Sequence, residues 1–291
     1  MTRKLVPFVA IVTASDMPKP DLEISDLSEN LKQAGFNVSI VPWDGDVRWE
    51  AFDLVLVKST WDYFRRLPEF LAWANKTSKI TALQNPSSVI AWNADKRYLG
   101  YLERRGVPTI PSSFVAPLSI DSSLQNILDR FGTNEIVIKP AISIGAFGAL
   151  RVNASDPRAL AHIRAIELDG HVLIQPFVSS ILDDGEVSLI YFNGLFFHAV
   201  RKRPSNGEYR VQDHHGGTVH PHLPDEHELA VAEAALAVAP TATLIARVDL
   251  VTIEERPHVI ELELIEPALF LSSDPMSTRR LIDAICARIA S

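Results

Sequence analysis

Three carboxylates, those of Asp249, Glu261 and Glu263, fall in two successive predicted β-strands, 247–253 and 258–265. Because side chains alternate between the faces of a strand, any register that aligns same-facing residues brings Asp249 opposite or diagonal to the two glutamates. Carboxylates that crowd together on a half-buried face repel one another and lose hydration unless a cation lies among them. Mg²⁺, which binds one or two carboxylates and completes its shell with phosphate oxygens, would meet that need.

The faces of these two strands differ in character. One face is wholly apolar and is predicted to lie in the core: Val248, Leu250, Ile260, Leu262 and Leu264. The acidic face is predicted to be half-buried, because apolar residues share it: Val251, Ile253, Val259 and Ile265. The alternative to a metal site is a solvated outer face of an antiparallel sheet, on which Arg247 is the counter-ion. The metal interpretation therefore requires phosphate-binding groups elsewhere in the chain.

Two lysines near strand ends could supply such groups. Lys139 precedes the loop 141–149, whose two glycines would let backbone N–H groups approach a phosphate, although a plain βα turn is the alternative. Lys202 stands between two arginines, a pattern that equally describes a solvated strand end. Four histidines match no zinc spacing and are interpreted as exposed loop residues: His214, His215, His220 and His222.

Strands and helices alternate in residues 1–92, which predicts a small parallel α/β domain. Its strands are placed at 5–13, 37–41 and 52–58, and its helices at 22–34 and 68–76. Ligands bind outside the carboxyl ends of the strands in such sheets. The loop 58–63, which follows the third strand, is therefore a pocket candidate.

Two further domains are predicted, at 93–177 and 178–291. The first contains helices at 95–105 (with Asn93 as N-cap), 121–131 and 156–167, and strands at 135–140 and 171–177. The second contains a hairpin of 185–192 and 195–202, a polar loop at 204–218, a helix at 224–238, the acidic strands and a final helix from about 275.

Composition narrows the class of protein. The chain has 291 residues, of which 47% are hydrophobic and 22% charged, as in a globular protein with a sizeable core. A net charge of -8 argues against non-specific nucleic-acid binding. A single cysteine, Cys286, excludes an internal disulfide and is expected to be a core thiol. With no signal peptide or membrane span apparent, a cytoplasmic location is expected.

Taken in chain order, these parts resemble the ATP-grasp superfamily of carboxylate–amine ligases over roughly residues 93–271. The residues that carry the resemblance are Lys96, Lys139, Gln175, Pro176, Phe177, Val178, Glu186, Lys202, Arg247, Asp249, Glu261 and Glu263. The resemblance implies an α/β protein with α+β subdomains, in which an ATP-grasp fold follows an N-terminal parallel-sheet domain. Further stretches are similar to the cyclo-ligases that close O-ureido-D-serine to D-cycloserine: 59–63, 92–96, 210–212, 216–217 and 261–267.

The resemblance also implies roles, position by position. Lys96, Lys139 and Lys202 would contact the phosphates of ATP, with Lys139 also near the adenine. Backbone groups of Gln175, Pro176, Phe177 and Val178 would meet the adenine edge, and Glu186 would bind the ribose. Asp249, Glu261 and Glu263 would hold Mg²⁺, while Arg247 and Lys202 would act in catalysis. Substrate contacts are expected at Ser59, Thr60, Asp62, Arg210, Gly216, Gly217 and Glu266. Many relatives have Glu-x-Asn where this chain has Glu-x-Glu, at 261–263.

The implied reaction begins with attack of a carboxylate on the γ-phosphate of ATP, and an amine then captures the acyl phosphate. The leading hypothesis is ring closure within one small amino-acid-like substrate, beneath a lid formed by the loop 204–218. The alternatives are an intermolecular amino-acid or peptide ligase of the glutathione synthetase-like type, and a nucleotide-binding protein without ligase turnover. Relatives are commonly dimers or larger, so a homodimer is an expectation of the resemblance.

Overall fold

The computed structural model describes residues 6–16, 21–116 and 124–290. Its N-terminal part is a four-stranded parallel sheet in the order β2-β1-β3-β4. The strands are β1 (Phe8–Thr13), β2 (Asn37–Pro42), β3 (Leu54–Ser59) and β4 (Ala82–Gln84), and the helices are α1 (Leu22–Gln33) and α2 (Leu67–Thr77). The predicted parallel α/β arrangement is confirmed. Asp21 begins α1, because its carboxylate accepts a hydrogen bond of 2.9 Å from the amide of Glu23.

The central part is a four-stranded antiparallel sheet in the order β5-β8-β6-β7. It consists of β5 (Ser113–Val115), β6 (Glu135–Pro140), β7 (Leu150–Asn153) and β8 (Val172–Pro176). Helices α5 (Leu124–Phe131) and α6 (Pro157–Glu167) accompany it. Strands β5 and β7 were not predicted, because each is only three or four residues long and has no clear alternation. The first three residues of the helix predicted at 121–131 lie outside the described residues.

The C-terminal part is a five-stranded antiparallel sheet in the order β11-β10-β9-β12-β13. Its strands are β9 (Glu186–Phe192), β10 (Leu195–Arg203), β11 (Thr218–His222), β12 (Ile245–Ile253) and β13 (Arg256–Glu263). Its helices are α7 (Ser180–Asp183), α8 (Glu226–Leu236) and α9 (Ser277–Ala290). The predicted polar loop thus ends in a strand, and His220 and His222 lie on β11. Cys286, predicted to be buried, is exposed on α9.

Asn93 was expected to cap a helix, but in the structure it does not. Instead, residues before it form α3 (Ser87–Asn93), which ends at Asn93, and α4 (Tyr98–Arg104) follows after a break. Buried at the end of α3, the Asn93 side chain donates to the carbonyl of Leu262 and accepts from the amide of Leu264, each at 2.8 Å. The amide therefore fixes the strand that carries the two acidic residues, instead of beginning a helix.

A β-bulge in β13 corrects the predicted faces of the acidic strands. Asp249 pairs with Glu261, but the register then shifts so that Leu250 pairs with Val259. A bulge places an extra residue in one strand and reverses the alternation beyond it. Val259 is consequently in the core with Leu250, whereas Ile260 packs in a separate apolar cluster with Val251. The predicted positions of Val259 and Ile260 were therefore wrong.

One hydrophobic core joins the N-terminal and C-terminal parts. Buried side chains of β1 and β3, such as Val9 and Leu54, share a cluster with Phe192 of β9 and Leu281 of α9. This shared core fixes the carboxyl end of β3 beside the residues that follow β13. Each predicted domain contains one of the three sheets, while the boundaries at 92 and 177 stay predictions. None of the helices that the structure describes is long and apolar enough to cross a membrane.

Candidate active site

The three predicted metal ligands meet at the centre of the C-terminal sheet. Asp249 lies on β12 directly opposite Glu261 of β13, and Arg247 lies opposite Glu263. One carboxylate oxygen from each of Asp249, Glu261 and Glu263 lies within 4.8 Å of the others. The Asp249 side chain is 1% exposed, whereas those of Glu261 and Glu263 are 26% and 30% exposed. The cluster is thus anchored in the sheet and open on one side.

Arg247 bridges two members of this cluster. Its guanidinium makes two hydrogen bonds of 2.9 Å to the carboxylate of Asp249 and one of 2.5 Å to Glu263. A further bond of 3.2 Å reaches the carbonyl of Ala268. Burial opposes the charge of Asp249, but Arg247 and Lys202 hold the pKa of its carboxyl well below its usual range. Burial, opposed by Arg247, raises the pKa of Glu263 to about 7.

Lys202 and Glu186 form a buried pair beside Asp249. They face each other across the pairing of β9 with β10, and the ammonium group contacts the Glu186 carboxylate and lies 3.4 Å from Asp249. Burial, opposed by Lys202, raises the pKa of Glu186 to about 7. Ser188 donates a hydrogen bond of 2.5 Å to Asp249, which fixes that carboxylate in the sheet.

Lys96 and Lys139 approach the cluster from the central part of the chain. Lys96 lies 3.1 Å from Glu261 and donates at 2.5 Å to the carbonyl of Ser143, in the small-residue loop. Burial opposes the charge of Glu261, but the two lysines hold the pKa of its carboxyl below the usual value. Burial lowers the pKa of Lys139. A hard, all-oxygen donor set that opens towards three lysines fits a divalent cation that is shared with phosphate groups.

A cleft of about 750 Å³, including space open to solvent, connects these groups. Nine of the predicted site residues line it: Lys96, Lys139, Gln175, Pro176, Phe177, Val178, Glu186, Arg210 and Glu261. Its apolar lining includes Ile110, Val137, Ile181, Val211 and Ile260. A cleft with apolar walls, lysines and carboxylates can take a ligand that carries both a flat ring and phosphates. Lys202 does not line the cleft itself, but it contacts Glu186, which does line it.

The segment that links the central and C-terminal sheets forms one wall of this cleft. The Gln175 side chain donates a hydrogen bond of 2.9 Å to Ser112, and the Arg151 guanidinium lies 3.6 Å from the centre of the Phe177 ring. Tyr209 meets the same ring edge-on at 6.0 Å. Tyr209 was not singled out in the sequence, because nothing in a polar loop shows which aromatic residue folds back.

The residues predicted to bind the substrate do not form one group. Asp62 accepts a hydrogen bond of 2.9 Å from the Trp43 indole and lies 3.5 Å from Arg66, so it is engaged within the N-terminal part. Ser59 donates to the Asp21 carboxylate. Gly216 and Gly217 line no part of the cleft. A Cβ on Gly217 would lie 2.1 Å from the carbonyl oxygen of Val211, so this glycine allows two loop segments to touch.

Thr60 and Glu266 lie at the junction of the N-terminal and C-terminal parts. Next to Thr60, the buried Lys58 donates at 2.7 Å to the carbonyl of Pro267 and pairs at 2.5 Å with Glu23. Glu23 in turn accepts from the amides of Leu269 and Leu271, each at 3.1 Å. The loop after β3 is thereby fastened to the segment that follows β13. Lys58 was not recognised as structural, because both of its partners are distant in sequence.

Family profiles match most of the chain. Residues 109–256 match the ATP-grasp domain of prokaryotic glutathione synthetase, and residues 9–85 match the N-terminal domain of D-cycloserine synthetase DcsG. The cycloserine biosynthesis protein DcsG of Streptomyces lavendulae is 33% identical over 303 residues, which cover 97% of this chain and 98% of that protein. The predicted resemblance is confirmed.

Solved structures agree with these matches. The crystal structure of D-cycloserine synthetase DcsG superposes with a TM-score of 0.87 at 31% identity, and the match covers 97% of this chain and 99% of that one. The D-alanine–D-alanine ligase of Bacillus anthracis, complexed with ATP, gives a TM-score of 0.74 at 14% identity over 98% of this chain and 97% of that one. At such low identity the second match shows the fold alone, and the predicted ATP-grasp fold is confirmed.

Proposed function

The chain belongs to the ATP-grasp family and is an ATP-dependent ligase that forms a C–N bond. From that premise we propose that it closes O-ureido-D-serine to D-cycloserine. Its similarity to DcsG along 97% of its length supports this substrate. The single observation that carries the chemistry is the cluster of Asp249, Glu261 and Glu263 with Arg247, in which Glu261 lines the cleft.

We propose that this chain's cations receive the phosphates of ATP. Lys96 and Lys139 line the cleft, and Lys202 lies just behind its wall. In the structure Lys96, Lys202 and Arg247 pair with four carboxylates, those of Glu186, Asp249, Glu261 and Glu263. Lys139 lies near enough to Glu261 and Glu186 to interact with the charges of both. The lysines can turn from the carboxylates to the phosphates, which leaves Asp249, Glu261 and Glu263 to a divalent metal. We propose Mg²⁺, which when bound neutralises charge that develops on the transferred phosphoryl group.

The rest of the nucleotide would lie along the cleft wall. The backbone of Gln175, Pro176, Phe177 and Val178 would meet the adenine edge, and apolar side chains such as Ile260 would cover its ring. Glu186, at the inner end of the wall, would accept hydrogen bonds from the ribose hydroxyls.

Arg247 is proposed to stabilise the charge that moves during the reaction. Attack of the substrate carboxylate on the γ-phosphate of ATP gives an acyl phosphate and releases ADP. The oxygen-bound nitrogen of the ureido group then attacks the activated carbonyl. The nitrogen loses its proton as phosphate leaves. After the acyl phosphate has been consumed, one water molecule cleaves the carbamoyl group from that nitrogen as carbamate, which decomposes to carbon dioxide and ammonia. The planar guanidinium is held by four hydrogen bonds, which leaves one N–H free to donate to a phosphoryl oxygen and then to the tetrahedral intermediate.

The loop 204–218, whose last residue begins β11, is proposed to exclude water, since an acyl phosphate hydrolyses readily. Tyr209 and Arg210 from this loop already line the cleft. The small substrate would enter at the opposite end, towards Thr60 and Glu266. A cytoplasmic location and a homodimer remain part of the proposal, because ATP is cytoplasmic and the superfamily resemblance implies subunit association.

Glu261→Gln tests the metal assignment, with Glu255→Gln, an exposed position in the same hairpin, as its matched control. ADP release with MgATP and O-ureido-D-serine should fall at least a hundredfold in Glu261→Gln, because a charged ligand becomes a neutral amide. The Glu255→Gln variant should behave as wild type. Full turnover in the Glu261→Gln variant would show that the metal assignment is wrong.

A further inference from the structure

Two buried polar atoms at the substrate end of the site have no hydrogen-bond partner. The Oε2 atom of Glu266 is shielded from solvent and accepts no hydrogen bond, and the same holds for the hydroxyl of Thr60, whose side chain is fully buried. The backbone amide of Thr60 lies close enough to the Glu266 carboxylate to affect its pKa. Buried polar groups are satisfied in the great majority of cases, and nine buried atoms without a partner occur in the described residues. Those of Thr60 and Glu266 point to an absent ligand because the Thr60 amide brings the two residues together at the substrate end of the site.

Glu266 also differs from the other carboxylates of the site in having no cation. Asp249, Glu261, Glu263 and Glu186 each lie within 4 Å of a lysine or arginine, whereas in the described parts of the chain Glu266 has no such pair. The nearest lysine, Lys58, is already committed to Glu23 and to the carbonyl of Pro267. Burial and the charge of Glu263 raise the pKa of Glu266 well above its usual range. A cation from outside the chain would complete this site.

The position of Glu266 relative to the reacting groups identifies that cation. Glu266 follows Glu263 by three residues, so its backbone lies within about 10 Å of that of the metal cluster. Burial raises the pKa of the Tyr63 hydroxyl, and the charges of Glu266, Glu263 and Glu261 raise it further, which places all three carboxylates near this side chain. Arg247, which would meet the activated carboxylate, contacts the carbonyl of Ala268, two residues beyond Glu266. An ammonium group at Glu266 would therefore be a short distance from a carboxylate at Arg247, as in a free α-amino acid.

We propose that Glu266 and Thr60 bind the α-ammonium group of the substrate, and that the substrate is therefore a free α-amino acid whose own carboxylate is activated. Glu266 accepts a charge-assisted hydrogen bond from the ammonium group, and the Thr60 hydroxyl accepts a second. Held in this way the ammonium group stays protonated, so it does not act as the nucleophile. A peptide that presents only its C-terminal carboxylate has an amide at that position and is disfavoured. The inference deepens the proposed function and rests on it for the reacting group.

A comparison of two proteins, wild type and Glu266→Gln, on two substrates tests this assignment. Glu266→Gln is compared with wild type on O-ureido-D-serine and on 3-(ureidooxy)propanoate, the analogue that lacks the amino group. The KM for O-ureido-D-serine should rise about 10- to 100-fold in Glu266→Gln, which is the effect of losing a hydrogen bond to a charged group. The KM for ATP should not change. The preference of wild type for the amino substrate should nearly disappear in the variant.

Further variants separate recognition from folding. Glu255→Gln is the matched control, and Thr60→Ser should retain activity that Thr60→Val loses. Glu266→Gln should unfold at a temperature no lower than wild type, because an amide replaces an unpaired buried carboxyl of similar shape. If Glu266→Gln discriminated between the two substrates as wild type does, or lost turnover of both equally, the assignment would be overturned.

Failure of the proposed function gives a different result. If wild type released no ADP with O-ureido-D-serine, the proposed substrate would be wrong, and the ammonium site would be judged by calorimetric titration in MgADP. Wild type should then bind D-serine or L-serine more tightly than 3-hydroxypropanoate, and Glu266→Gln should lose that difference. An absence of any such preference in wild type would overturn the inference.

Discussion

Replacing Arg247 with methionine should impair both folding and catalysis. The substitution removes three hydrogen bonds to Asp249 and Glu263 and leaves two acidic groups without their main counter-ion. Removal of one partner from a buried ion pair costs about 3–5 kcal/mol. Because Lys202 remains 3.4 Å from Asp249, we expect the lower end of that range, about 3 kcal/mol. The kcat for ADP formation should fall about 10²- to 10³-fold, as for loss of a preorganised donor.

The stability loss should depend on pH with a definite sign. Arg247 holds the pKa of Asp249 in the folded protein well below its usual range, so this carboxyl stabilises the fold above pH ~4 and loses that effect as pH falls. The difference in unfolding free energy between wild type and Arg247→Met should therefore be largest near neutral pH and shrink below pH ~4.

Urea denaturation at several pH values, with ADP release measured in parallel, tests this prediction. Arg279→Met is a suitable control, since Arg279 makes a 3.2 Å pair with Asp283 at a site where both side chains are more than half exposed. Such a pair contributes little to stability. Wild-type stability and turnover in Arg247→Met would refute the role given to the buried pair.

Three other perturbations follow from the geometry. Because the pKa of Glu263 is about 7, protons should compete with the metal for this carboxylate. The affinity for Mg²⁺, measured by calorimetry, should therefore weaken as the pH falls from 8 to 6. An affinity that does not depend on pH would exclude Glu263 as a ligand. Gly217→Ala should slow ADP formation at least tenfold by displacing the loop. Gly170→Ala is the control and should have the wild-type rate, because an added Cβ has open space there. Equal rates of ADP formation in the two variants would contradict the lid proposal. Asn93→Ala should lower the unfolding free energy, measured by urea denaturation, by about 2–5 kcal/mol, because two buried backbone groups of the C-terminal part lose their partner. A loss below about 1 kcal/mol would contradict this role of Asn93.

Alternation of side chains was sufficient to predict the acidic centre. Asp249 and Glu261 face each other as expected, because both lie on regular stretches of strand that are buried on the opposite face. The same rule failed one residue further, at Val259 and Ile260, because the extra residue of a bulge leaves no mark in the hydrophobic pattern. Periodicity thus predicts a face only as far as the register is uninterrupted.

Contacts between distant segments could not be predicted from the sequence. Asn93 has the residue type of a helix cap, but its amide is satisfied by β13 and the residue that follows it, which is a tertiary contact. Asp62 lies in the predicted pocket loop, yet its hydrogen bond to Trp43 is within the N-terminal part. In both cases the residue type indicated a hydrogen-bonding role but did not identify the partner, because the partner depends on how the three sheets pack.

Product formation by the wild-type protein tests the central claim most directly. The protein is incubated with MgATP and O-ureido-D-serine as the only amino acid, and ADP and product masses are followed together by mass spectrometry. We expect ADP and D-cycloserine to appear in equal amounts, with none formed when ATP is omitted. ADP release that requires a second amino acid and yields a linear product would contradict ring closure and identify an intermolecular ligase on the same fold.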